Sequence, residues 1–229
     1  MDPETTPDAA KSRVLEAALM HVPFDGWSET TLRAAIADSG VAPGLARALF
    51  PRGGIDLAVA YHKAGDALML DRLAATDLTA LRYRDRVATA IRTRLELVED
   101  RELVRRGSTL FALPQHAGEG AKLIWGTADA IWTALGDTSR DFNWYSKRAT
   151  LSAVYGSVVL YWLGDDSLDH QDAWDFLDRR IGDVMQIEKL KASVRDNPLG
   201  KALLAGPGKL MDKWRAPTAP DDLPGNTRF

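Results

Sequence analysis

SETTLRAAIADSGVAPGLARALF, residues 28–50, reads as two short helices and the turn between them. Ser28 is placed to cap the first, Glu29 to Asp38, because its hydroxyl can accept a hydrogen bond from a free amide of the first turn. The turn falls on Ser39-Gly40-Val41-Ala42. Pro43 then opens a helix reaching Phe50, a position where its missing amide costs nothing. A preceding helix from about Ala9 to Met20 ends before Pro23, which disfavours helix in its predecessor. Three helices with a tight turn before the last form the pattern of DNA-binding helix-turn-helix modules.

Outward from this module the chain continues in helices, because apolar residues recur at spacings of three and four and no window alternates as a half-buried strand does. Pro51-Arg52-Gly53-Gly54 reads as a hinge. A long helix carrying Leu57, Tyr61, Leu68 and Leu73 follows, then helices over about Leu81–Val98, Glu102–Leu113 and Glu119–Leu135. The last two are Trp144–Leu163 and Gln171–Lys191, joined by the acidic turn Gly164-Asp165-Asp166-Ser167. In the final helix Trp174, Leu177, Ile181, Val184 and Met185 form one stripe. The fold class expected is all-α, with a helix-turn-helix module over 1–53, a helical ligand-binding domain over 54–191, a basic amphipathic segment over 192–215 and a disordered tail over 216–229.

Composition excludes several classes of function. The 229 residues are 45% hydrophobic and 27% charged and contain no cysteine, so disulfides, thiolate metal sites and cysteine nucleophiles are ruled out. The longest apolar run, Val158 to Leu163, is far short of the roughly 20 residues that span a bilayer. The acidic start of the chain resembles neither a secretory signal nor a mitochondrial presequence, which predicts a protein that stays where it is made. His21, His62, His116 and His170 are scattered, and none has a Glu three residues before it, as a helical di-iron or zinc site would need. Gly206-Pro207-Gly208-Lys209 lacks the glycine spacing and the Ser or Thr of a phosphate loop. Nothing argues for catalysis, a cofactor or a metal.

Charge argues against DNA as the ligand of the N-terminal module. From Met1 to Asp66 six Lys and Arg stand against nine Asp and Glu. Non-specific affinity comes chiefly from neutralised phosphates, and the recognition helix supplies only Arg47. Its Leu45, Ala46, Ala48 and Leu49 lack the groups that commonly read base edges.

Residues 141–185, DFNWYSKRATLSAVYGSVVLYWLGDDSLDHQDAWDFLDRRIGDVM, resemble the core of a ubiquinone-biosynthesis accessory family, coenzyme Q biosynthesis protein nine. Asp141, Asn143, Trp144, Tyr145, Arg148, Trp174, Phe176, Leu177, Arg180, Asp183 and Met185 stand where the family pattern expects them. A weaker match runs through Gly26-Trp27 and Leu49-Phe50-Pro51-Arg52-Gly53. The resemblance implies a TetR-like helical fold that has lost DNA binding and turned its effector pocket to isoprenoid lipids. It also implies a partner, the membrane-associated demethoxyubiquinone hydroxylase, to which lipid is presented. Without a presequence, the chain is expected to be a bacterial version, peripheral on the inner face of the cytoplasmic membrane.

Four expectations about sites follow. Ala149, Ser152, Ala153, Gly156 and Ser157 occupy little volume, and together with the resemblance they suggest a lipid tunnel lined by Phe111, Trp132, Leu151, Tyr155, Val158, Ile181 and Met185. Asp141, Asn143, Trp144 and Tyr145 are either a staple into the core or a contact for the hydroxylase, since Trp and Tyr serve both uses. Between Glu188 and Arg215 seven cations oppose three carboxylates. Leu199, Leu203, Leu210 and Trp214 share a face there, with Lys201, Lys209 and Lys213 nearby, so this segment is expected to lie on a membrane surface, or else to fold back on the domain. A homodimer through the late helices is expected. A ligand-responsive TetR-type repressor is the alternative reading, and an enzyme acting on a quinone precursor is a third.

Overall fold

The computed structural model describes residues 6–140 and 142–196, with the backbone alone for Met185 and 187–196. Among the described residues ten α-helices and one 3-10 turn make up the regular structure, and no strand occurs. Asp141, the side chain of Met185, and Leu199, Lys201, Leu203, Lys209, Leu210, Lys213 and Trp214 lie outside the described residues.

The head is built from α1 (Pro7–Leu19), α2 (Val22–Asp25), α3 (Glu29–Ser39) and α4 (Pro43–Leu49). Thr6 caps α1 by accepting from the amide of Ala9, and Ser28 caps α3 by accepting from that of Thr31 at 3.2 Å. Pro23 does not merely end a helix: it sits in the first turn of the short α2, where no amide donor is required. Gly40 closes α3 at φ +66, a left-handed conformation that costs glycine nothing. Val14, Ala18, Leu32, Ala35, Ala46 and Phe50 fill the space between these helices. That core continues past residue 53, taking in Leu57, Ala58 and Ala60, and also Leu103.

The body consists of α5 (Gly54–Ala74), α6 (Tyr83–Glu96), α7 (Arg101–Ala112), α8 (Ala117–Ala134), α9 (Phe142–Leu163) and α10 (Gln171–Asp196). A second core joins Met69, Leu73, Ile91, Leu95, Ile131, Val158, Trp162, Trp174 and Leu177. Each such side chain taken out of water contributes about 1.5–3 kcal/mol. The acidic turn before α10 is partly internal: the buried Asp165 accepts from the amides of Ser167 and Ala173 and so starts α10, while Arg101 donates to its backbone carbonyl.

Head and body are joined by direct polar bonds. The Trp27 indole donates to the carbonyl of Leu103 at 3.0 Å, and Arg106 donates to that of Pro23 at 2.8 Å. Arg52 grips Glu119 with both terminal nitrogens, at 2.8 and 2.9 Å, and also holds Asp56. Among the described residues no helix is long and apolar enough to cross a membrane.

Candidate functional site

A cavity of about 410 Å3 opens in the body between α5, α6, α7, α8 and α9. It falls in the usual range for small-molecule sites, about 300–1,000 Å3. Its space exists because small residues face it: Ala58, Gly107, Gly120, Ala121 and Gly156. A methyl group added at Gly156 would meet only the tip of Ile124, at 3.8 Å. The walls are Leu95, Leu103, Val104, Phe111, Leu123, Ile124 and Val159, with Trp27 reaching in from the head. Ala112, Ala117, Ala121 and Leu160 are exposed yet line the same space, and they mark its mouth.

One end is polar. Arg94, 4% exposed, donates through Nε to Asp66 at 2.8 Å and through Nη2 to the carbonyl of His62 at 3.1 Å. Thr127 Oγ1 lies 3.0 Å from each Asp66 oxygen and 2.8 Å from His62 Nε2. Burial lowers the His62 pKa, and the nearby carboxylate of Asp66 only partly opposes this, so the ring is neutral at pH 7. Burial raises the Tyr155 phenol, and it pushes Tyr61 up to about 12.

Of the residues predicted to line a tunnel, the structure brings two, Phe111 and Tyr155, onto this cavity. Leu151, Val158 and Ile181 pack into the body core instead, and Trp132 lies off the cavity, with its indole donating to the carbonyl of Lys147 and its ring stacked on Tyr83. Sequence reasoning missed Trp27, Tyr61, Arg94, Ile124 and Val159. An Arg in register with the apolar face of α6, after Val87, Ala90 and Ile91, was the one signal available for the polar end.

Asn143 is exposed, and Trp144 and Tyr145 are half-buried, packed edge to face at 4.8 Å with Trp125 6.0 Å from Trp144. Beneath them Arg148 is 2% exposed, its guanidinium 3.9 Å from the centre of the Trp144 ring. It pairs with Asp129 and, at 3.1 Å, with Asp137. Burial alone would raise the Asp137 pKa, but hydrogen bonds from Lys147, Ser139 and Arg148 outweigh it and hold the carboxyl at about 2. Because the folded pKa is depressed, the stabilisation is complete above the ordinary carboxylate pKa and is lost as pH falls from about 4 toward 2. Its size is on the order of 2 kcal/mol. Urea midpoints at pH 6 and pH 3 should therefore separate more for the parent chain than for Asp137→Asn. Equal separations would show that Asp137 does not carry this dependence.

A second, polar cleft of about 660 Å3 lies between the α6–α7 connection and the corner before α10. Its Trp162 and Trp174 faces are already covered by Arg101 and Arg92. Among the described residues no group of three or more His, Asp or Glu is placed to hold a metal. In the head, Arg47, the cation of α4, is tied to Glu29 at 2.9 Å.

Residues 117–188, which hold α8, α9 and the start of α10, match the COQ9 family model. The chain is 31% identical over 188 residues to the mitochondrial ubiquinone biosynthesis protein COQ9 of Drosophila melanogaster, covering 80% of this chain and 57% of that one. The Rattus norvegicus protein of the same name is 31% identical over 208 residues, covering 85% and 64%. For the Homo sapiens protein the figures are 30% over 205 residues, 85% and 63%. The chain thus spans about three-fifths of the length of these relatives. In fold it is similar to a TetR transcriptional regulator from Nitrosomonas europaea, with a TM-score of 0.62 and 18% identity over 75% of this chain and 95% of that one. Through residues 117–188 the chain matches the COQ9 family model, and it carries that segment on a TetR-like all-α fold.

Proposed function

We propose that the chain is a non-catalytic lipid-binding accessory protein of ubiquinone biosynthesis, which shelters an isoprenoid quinone precursor and presents it to demethoxyubiquinone hydroxylase. The observation that carries this reading is the apolar cavity of about 410 Å3, open to the outside beside Leu160. Its walls along Leu103, Phe111, Ile124 and Val159 can hold a prenyl chain. The relatives' role in ubiquinone biosynthesis supplies the metabolic setting. Half-buried Trp144 and Tyr145, with exposed Asn143, are the proposed contact for the hydroxylase. The basic segment 192–215 is the proposed contact with the inner face of the cytoplasmic membrane, and exposed Leu160 and Tyr161 favour a homodimer through the late helices. The Arg47–Glu29 pair counts against the repressor alternative, because it neutralises the cation that a phosphate would need.

Native mass spectrometry of the full chain after gentle bacterial expression tests the reading. The expected spectrum shows protein with an apolar lipid adduct. Gly156→Trp, which directs an indole into the cavity, should lower adduct occupancy at least tenfold with the helical circular dichroism unchanged. Parent protein that is entirely ligand-free, or equal occupancy in both, would overturn it.

A further inference from the structure

At the polar end of the cavity two phenol hydroxyls and one nitrogen of Arg94 have no hydrogen-bond partner among the described residues. Trp27 spends its indole N–H on Leu103, and His62 spends Nε2 on Thr127. The hydroxyls of Tyr61 and Tyr155 hydrogen-bond to none of the described residues, and neither does Arg94 Nη1. Tyr155 is only 4% exposed. The Asp66–Arg94–Thr127 network is satisfied without Tyr155, so internal structure does not account for its oxygen.

The three groups act on one another. The charge of Arg94 works against the burial that raises both phenols, and Tyr155 adds to the rise at Tyr61. Both phenols are hydrogen-bond donors at neutral pH. Arg94 is seated by an unusual residue choice: a Cβ at Gly65 would stand 2.6 Å from its guanidinium carbon. Glycine inside a helix is about 1 kcal/mol less favourable than alanine, and here it leaves the bare surface on which the guanidinium lies.

We propose that this end of the cavity is a head-group site, formed by Tyr61, Arg94 and Tyr155, that selects a neutral ring bearing acceptor oxygens over an anionic head. The choice of charge follows from Asp66. Its carboxylate lies 2.8 Å from Arg94, so the pair carries no surplus positive charge. A carboxylate or phosphate would be desolvated there without a counter-ion, whereas carbonyl or methoxy oxygens need only the donors present. The apolar tail then runs past Phe111 and Val159 to the mouth at Leu160. This inference rests on the reading that the cavity holds a lipid.

The test is displacement of the neutral dye N-phenyl-1-naphthylamine from delipidated full-length chain by three probes of similar length: a decyl-substituted dimethoxybenzoquinone, decylbenzene and dodecanoate. The quinone should bind about tenfold more tightly than either of the others. Tyr155→Phe should weaken the quinone about five- to tenfold and leave decylbenzene unchanged, as expected for one lost hydrogen bond. Tyr61→Phe should act in the same direction. Since the Tyr155 hydroxyl bonds to none of the described residues, the thermal midpoint of Tyr155→Phe should match that of the parent. Equal binding of quinone and decylbenzene, unaltered in Tyr155→Phe, would overturn the head-group site and leave lipid binding standing. Preference for dodecanoate would overturn the charge argument. Failure of the dye and of all three probes to bind would overturn both readings.

Discussion

Arg148→Ala is expected to destabilise the chain by about 3–5 kcal/mol, because it removes one partner of a buried ion pair and leaves the other charge uncompensated. For a chain of this size the thermal midpoint should fall by roughly 6–20 °C. The stranded group is Asp137, whose side chain, like that of Arg148, is only 2% exposed. Lys147 Nζ at 2.7 Å and Ser139 Oγ at 2.8 Å would still hold one of its oxygens, Oδ1, while Oδ2 would lose Arg148. The guanidinium also donates to the carbonyl of Trp144 and lies against that ring, so alanine removes packing as well as charge. Arg148→Lys should cost less than alanine but well over 1 kcal/mol, since a point charge on a flexible stem cannot serve Asp129, Asp137 and an aromatic face together. Pairing Arg148→Ala with Asp137→Asn should recover part of the loss. Urea denaturation followed by circular dichroism measures all three variants, and a loss below 1 kcal/mol for alanine would show that the cluster is only a decoration of the surface.

The function proposed for Trp144 and Tyr145 depends on the same cluster. Neither ring is fully in the core, and what aims them is Arg148 below and Trp125 beside. A variant that keeps the fold but loosens Arg148 should therefore disturb this patch before it disturbs the cavity, which lies about two turns further along α9 around Tyr155 and Gly156.

Local chemistry was legible in the sequence, and pairings at a distance were not. The Ser28 cap, the Gly40 turn and Pro43 at a helix start act within four residues, so each could be read where it stands. The apolar character of α9 was equally plain, but periodicity does not say which neighbour each face meets. Leu151 and Val158 lie in the body core and off the cavity, Gly156 lines the cavity, and Tyr155 and Val159 border both. The distinction depends on where α8 and α10 dock, which no window of α9 contains. Asp137 reads as an ordinary turn residue, and only the docking of Lys147 and Arg148 shows that it is buried. Gly65 looks like a weak point in a helix, and Gly54 like part of a hinge, until the groups that press against them are known.

Gly54→Ala carries the second large effect, an expected loss of about 2–4 kcal/mol. A Cβ there would lie 2.3 Å from the carbonyl oxygen of Trp27 and 2.4 Å from the amide nitrogen of Ser28. Both are backbone atoms, so no rotamer change relieves the contact, and either α5 or the Trp27–Ser28 segment must move. That segment holds three things at once: the cap of α3, the Trp27 bond to Leu103, and one wall of the cavity. The damage should therefore reach ligand occupancy as well as stability. Gly126→Ala provides the control, because a Cβ there meets nothing within 4 Å in the middle of α8. It should stabilise the chain by about 0.5–1 kcal/mol, the ordinary advantage of alanine over glycine in a helix. Two identical substitutions of opposite sign isolate the close approach of head and body from generic helix propensity. Equal shifts in the same direction would mean that the Gly54 contact relaxes without resistance and does not fix the head against the cavity.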